Sequence, residues 1–106
     1  MPAYLVVRAV VPDPADRADF DAWYRTEHLP DAVKAFHARA GWRAWSQNDA
    51  AVHYAFYRFD TVAAVQALSG GAEMRALIAE FDRRWDTRVT RSREILEVAD
   101  EMGGPT

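Results

Sequence analysis

The chain has 106 residues, with 13 Lys and Arg against 16 Asp and Glu for a net charge of −3. That length suits one domain with a real core, and an apolar fraction of 50% argues against disorder. Mixed acids and bases exclude the basic stripe of a nucleic-acid binder, and the absence of cysteine excludes disulfides, thiolate catalysis and thiolate metal sites.

The opening "MPAYLVVRAVV" has no cationic start, and Arg8 interrupts its apolar run. It is too short to span a membrane and makes a poor signal peptide, so a cytoplasmic location without a membrane partner is expected. Lys34 is the one lysine among the basic residues, and alanine is abundant, which points to a GC-rich bacterial genome. Residues 3–11, "AYLVVRAVV", predict the first strand. Asp13 then predicts a helix N-cap, with Pro14 at the first helical position. A helix follows from Pro14 toward His28, and a second helical piece from Pro30 to Arg39 is expected to end at Gly41.

"GWRAWSQ", 41–47, predicts the second strand, "NDA" a turn, and "AVHYAFYRF", 51–59, the third strand. Asp60 or Thr61 caps a short helix, "TVAAVQALS", which Gly70 and Gly71 break. In "AEMRALIAEFDRRWD" the residues Met74, Leu77, Ile78, Phe81 and Trp85 fall at helical spacing on one face, a core stripe. "RVTRSREILEVAD", 88–100, reads as the last strand. One domain over 1–100 and a flexible tail over 101–106 are expected. The order β-α-β-β-α-β is the ferredoxin-like α+β arrangement, an antiparallel four-stranded sheet with helices on one face.

Helices cover one sheet face, and the other should be polar at alternate positions. These strands do not comply. Val52, Tyr54 and Phe56 lie on one side of the third strand while Ala55, Tyr57 and Phe59 lie on the other. The first strand splits Leu5, Val7, Ala9 and Val11 from Tyr4, Val6 and Val10, and the second puts Trp42 and Trp45 on opposite sides. An uncovered face of this character marks an interaction site, and a second copy of the chain packed sheet to sheet, a homodimer, is the simplest partner. The alternative is that this second face is merely amphipathic, since Arg8, Arg43, His53 and Arg58 interrupt it.

The segment "DAWYRTEHLPDAV", 21–33, carries the candidate chemistry. At 100° per residue Phe20, Trp23 and Tyr24 share the sheet-facing stripe, Glu27 falls near its middle, and His28 sits at its edge above Tyr24. Pro30 cannot donate to the carbonyl of Thr26, and it disfavours helical geometry at Leu29, so the helix is expected to kink or restart around 28–30. A neutral imidazole there can take or give a proton. The structural alternative is that His28 bonds a freed carbonyl at the kink. Arg8 is a candidate partner for Glu27, since a buried carboxylate needs one. His53 on a central strand faces either the interface or the pocket. His37 is expected to be exposed near a helix end. Three histidines without ligand spacing predict no metal site, and no glycine-rich phosphate cradle follows a strand.

"FDAWYRTEHLPDAV" resembles the first-helix signature of the dimeric α/β-barrel superfamily. It is similar in particular to the EthD-like branch, whose Tyr-x-x-x-His-x-Pro is met by Tyr24, His28 and Pro30. Some members of that branch place His before this Trp, where this chain has Ala22 before Trp23. The resemblance implies a small homodimeric enzyme acting on an apolar or aromatic small molecule by His-assisted proton transfer, dehydration or cofactor-free oxygenation. It implies His28 and Tyr24 as catalytic residues, with Trp23, Glu27, Arg8 and His53 toward the substrate and no cofactor. The alternative is a non-catalytic ligand-binding or structural dimer of the same fold, because a shared fold does not transfer chemistry.

Overall fold

The computed structural model describes residues 1–104. β1 (Ala3–Val10) leads through the Asp13 cap into α1 (Pro14–Trp23), where the Asp13 carboxylate accepts from the backbone N–H of Ala15 at 2.9 Å. A widened π-helical turn, Tyr24–His28, joins α1 to α2 (Leu29–Phe36). β2 (Ala40–Trp45) and β3 (Val52–Phe59) form the expected hairpin. α3 (Val62–Gln66) starts at Thr61, whose hydroxyl accepts from the Ala64 N–H. α4 (Ala72–Trp85), a single 3₁₀ turn (Asp86–Arg88) and β4 (Thr90–Glu97) complete the chain. Val98 adds one more bond to the β1 edge, donating to the Pro2 carbonyl at 2.9 Å. The tail expected over 101–106 ends in Pro105 and Thr106, which lie outside the described residues.

The sheet is antiparallel throughout in the order β2-β3-β1-β4. Strand alternation sorts its two faces. Leu5, Val7 and Ala9 of β1, with Ala55, Tyr57 and Phe59 of β3, turn toward the helices and are buried in the core. Phe20, Trp23, Phe36, Phe81 and Trp85 pack onto them from α1, α2 and α4. Arg8 and Arg58 interrupt the open face as expected, but strand alternation puts Arg43 and His53 on the covered side instead. The open face carries a ladder of rings. Trp42 stacks on Phe56 at 5.4 Å and 14°, Tyr54 stacks on Phe56 at 6.2 Å, and Tyr4 meets Trp42 edge-on at 5.4 Å. Trp42 and Leu96 are 43% and 42% exposed there.

The helical segment restarts at Leu29, within the expected 28–30, but Leu29 itself stays helical. Leu29 keeps φ −63° and ψ −50°, and its N–H donates to the Tyr24 carbonyl, five residues back rather than four. The chain meets Pro30 by widening the preceding turn, a π-bulge of the kind found at functional sites. The Thr26 hydroxyl donates to the Ala22 carbonyl at 2.8 Å, placing a side-chain bond within the ladder. His37, exposed as expected, ends α2 in the left-handed conformation with φ 53°. Gly41 instead lies in β2, where an added Cβ would come within 2.5 Å of Val33 Cγ2. Its missing side chain is what lets α2 lie close on the sheet.

Candidate active site

The π-turn decides what faces inward. In uninterrupted α-helix Glu27 would fall in the apolar stripe. The extra residue in the turn delays the phase, so Glu27 points to solvent and His28 takes the buried position. The imidazole stacks on Trp23, five residues earlier, at 4.6 Å and 19° between planes. It meets Tyr24 edge-on at 4.8 Å and Phe81 of α4 at 5.7 Å. His28 is 9% exposed, and its Nδ1 has no hydrogen-bond partner. Through that nitrogen, at least, it caps no freed carbonyl.

His28 lines a cavity of about 20 Å³ between the sheet and α4, enough for about one water. Leu5 and Val7 of β1, Tyr57 of β3, Phe36 of α2 and Met74 and Ile78 of α4 line it. Arg91 and Arg93 of β4 complete the lining. Burial, reinforced by the positive charges of Arg91 and Arg93, holds the His28 imidazole down at about 4. At neutral pH the ring is therefore uncharged, with its lone pair free and its basicity below that of an ordinary imidazole.

Tyr24 packs against this ring, and its hydroxyl lies 3.4 Å from that of Tyr57. Burial raises both phenols above their ordinary value, so both stay protonated at neutral pH. Tyr57 reaches the cavity, and Tyr24 stands behind it. The far side of Tyr24 touches His53 at 4.5 Å. His53 is fully buried, edge-on to Phe20 and Trp45, with Nε2 3.4 Å from an Arg43 guanidinium nitrogen. Arg43 is fixed by Asp21, which accepts from it and from the Trp45 indole N–H, each at 2.8 Å. The bond from Arg43 holds the Asp21 carboxyl below its usual range.

Of the residues expected at the site, His28 lines the cavity and Tyr24 and Trp23 brace its ring. His53 is sealed behind Tyr24 and does not reach the cavity. Glu27 and Arg8 correct the sequence reading outright. Glu27 is solvent-exposed because the π-turn rotates it out, and Arg8 is exposed on the open sheet face because strand alternation turns it away from the helices. No Arg8–Glu27 pair forms.

Tyr57, Arg91 and Arg93 were missed. The signal for the arginines was present in "RSREI": Arg91, Arg93 and Ile95 alternate, and they pair with Ala9, Val7 and Leu5 of the covered face. Among the described residues no group of three or more His, Asp or Glu side chains could hold a metal ion, and no helix is long and apolar enough to cross a membrane.

No protein-family model matches the chain, and no curated protein matches it in sequence. Solved structures match it in shape. An EthD-family protein from Bacillus halodurans superposes with a TM-score of 0.70 at 18% identity, over 92% of this chain and 99% of that one. A mutant of SnoaB, a cofactor-independent oxygenase from Streptomyces nogalater, gives 0.71 at 8% identity, over 97% and 98%. Rv0793 from Mycobacterium tuberculosis gives 0.64 at 19% identity, over 97% and 100%. The chain has the ferredoxin-like α+β fold that the EthD-like resemblance implied, shared with an EthD-family protein and with a cofactor-independent oxygenase.

Proposed function

We propose that the protein is a small homodimeric enzyme that removes a proton from an apolar or aromatic small molecule, with His28 as the base. The observation that supports this reading most is the buried, uncharged imidazole of His28, with an unpartnered Nδ1, on the wall of an apolar cavity. A carbon acid held in the adjoining cleft of about 350 Å³ and reaching into this cavity would pass its proton to the ring. Arg91 and Arg93 would offset the charge left on the substrate oxygen. Returning the proton at another carbon gives isomerisation, and loss of a hydroxide gives dehydration. Addition of dioxygen to the carbanion gives cofactor-free oxygenation. All three begin with the same proton removal. Trp23 and Tyr24 act as positioning residues for the ring.

The test is hydrogen–deuterium exchange. A panel of enolisable aryl ketones in D₂O, followed by proton NMR, should lose C–H signal faster with the protein. His28→Ala should slow that exchange by roughly 10²–10⁴-fold. Exchange that survives His28→Ala undiminished overturns the assignment. The cavity's volume of about 20 Å³ favours a second reading, in which the site is a packing defect of a non-catalytic dimer. That reading expects no exchange with any ketone of the panel.

The dimer uses the open sheet face, where the ring ladder and the exposed Trp42 and Leu96 provide an apolar surface. Sedimentation should give a dimer at micromolar concentration. Trp42→Asp should shift it to monomer, because a charge buried there would have no partner.

A further inference from the structure

We propose that the ligand of this cavity is a small organic acid, a carboxylate or phenolate on an apolar body, whose anionic group lies against Arg93 and Arg91 beside His28. The inference rests on the cavity being the ligand site and adds the chemical class of the ligand.

Three observations carry it. First, the cavity wall holds two guanidinium groups and no carboxylate. Second, neither arginine is neutralised within it. Arg91 pairs with Asp82 at 3.1 Å, but Asp82 is 61% exposed and faces outward. The Arg91 guanidinium itself lies 3.8 Å over the Phe81 ring with its side chain 12% exposed. Arg93 makes no ion pair among the described residues. Two cations beside a low-dielectric wall focus a positive field into the space between them. Planar guanidinium forks are suited to carboxylate oxygens.

Third, the cavity adjoins a larger one. A cleft of about 350 Å³ between α3, α4 and the β4 edge shares Leu5, Met74 and Arg93 with it. Its volume lies in the range of small-molecule sites. Val65 and Ile95 make it apolar, and one carboxylate, Glu94, reaches its rim. Met74 lines both spaces, and an unbranched thioether shifts at little cost. The anionic group belongs beside Arg91 and His28, within reach of the shared Arg93, and the apolar body in the cleft.

Anion binding also changes His28. Burial, together with the charges of Arg91 and Arg93, depresses its basicity. A bound negative charge reverses that effect and favours the protonated ring. The acid would strengthen the base that acts on it.

The experiment compares 1-naphthoate with 1-naphthamide, equal in shape and different in charge, on the full chain. Binding is followed by fluorescence and by the proton resonances of the His28 ring. Naphthoate should bind at least about tenfold more tightly than the amide. It should also raise the pH at which His28 titrates, which the amide should not do. Arg93→Gln should abolish the preference without changing thermal unfolding, since the side chain is exposed and unpaired. Met74→Ala should tighten naphthoate by opening the passage. Equal affinity for acid and amide, binding of neither at millimolar concentration, or a preference that survives Arg93→Gln would overturn the proposal. Loss of the acid preference with intact, His28-dependent ketone exchange would remove this inference and leave the base assignment standing. Acid preference without exchange would do the reverse.

Discussion

His28 and His53 are a matched pair with different surroundings. Both are buried, both leave Nδ1 without a partner, both touch Tyr24, and burial pulls both down to about 4. By titration alone they are indistinguishable. What separates them is space. His53 is enclosed by Phe20, Trp45 and Tyr24, and Arg43 faces its Nε2. His28 borders a cavity with two arginines on its wall. A perturbed histidine therefore marks burial, and a site needs room beside it as well.

The largest effect that tests this pairing is acid sensitivity. Each ring has a folded value near 4 against about 6.5 when unfolded, so between those limits the unfolded chain binds more protons. Stability should be fully present above pH 6.5 and fall as the pH drops toward 4, by up to about 3 kcal/mol for each ring. Urea unfolding across that range measures it. His53→Phe, which keeps a ring and removes one of the two proton sites, should remove about half of that loss. If the profile is already flat in the wild type, the buried-neutral assignment of both rings fails.

Truncation sharpens the contrast. His53→Ala should cost roughly 2–4 kcal/mol, because it opens a void among fully packed aromatics. His28→Ala, at the edge of existing space, should cost about half that. Equal losses in chemical denaturation would mean that His28 is packed as tightly as its counterpart. The smallest effect is at the ring they share. Tyr24→Phe removes one hydroxyl and its contact with Tyr57, at about 1 kcal/mol. It should slow His28-dependent exchange far less than His28→Ala does, and a comparable loss would give the Tyr24 hydroxyl a direct part in the chemistry.

The strand and helix order was legible because period-2 and period-3.6 patterns are strong and local in this chain. So was the two-sided character of β1 and β3, which alternation alone sorts correctly. The site was legible only in part. Sequence spacing picks out His28, but a uniform wheel of 100° per residue misplaces its neighbours, because the π-turn breaks that uniformity between Trp23 and Leu29. This is why Glu27 was placed inside and is outside. Pro30 signalled a disturbance of the ladder, yet one missing N–H does not say whether the helix bends or widens. Arg8 failed for another reason: its pairing with Glu27 was inferred from need, without regard to the face it occupies. Arg91 and Arg93 went unnoticed because β4 is mostly exposed, and its weak apolar alternation hides which side is covered.

The widened turn also governs how this helix can change length. A regular helix tolerates substitution more readily than deletion, since removing one residue rotates everything beyond it by about 100°. Between Tyr24 and His28 the chain already holds one residue more than an ordinary turn requires. A deletion there can be absorbed by reverting to α-helical spacing, so that Leu29, Ala32, Val33 and Phe36 still face the sheet. A deletion anywhere else in α1 or α2 turns the far half outward. The stretch that holds the candidate base is thus the one place in this long helical segment where the chain has slack.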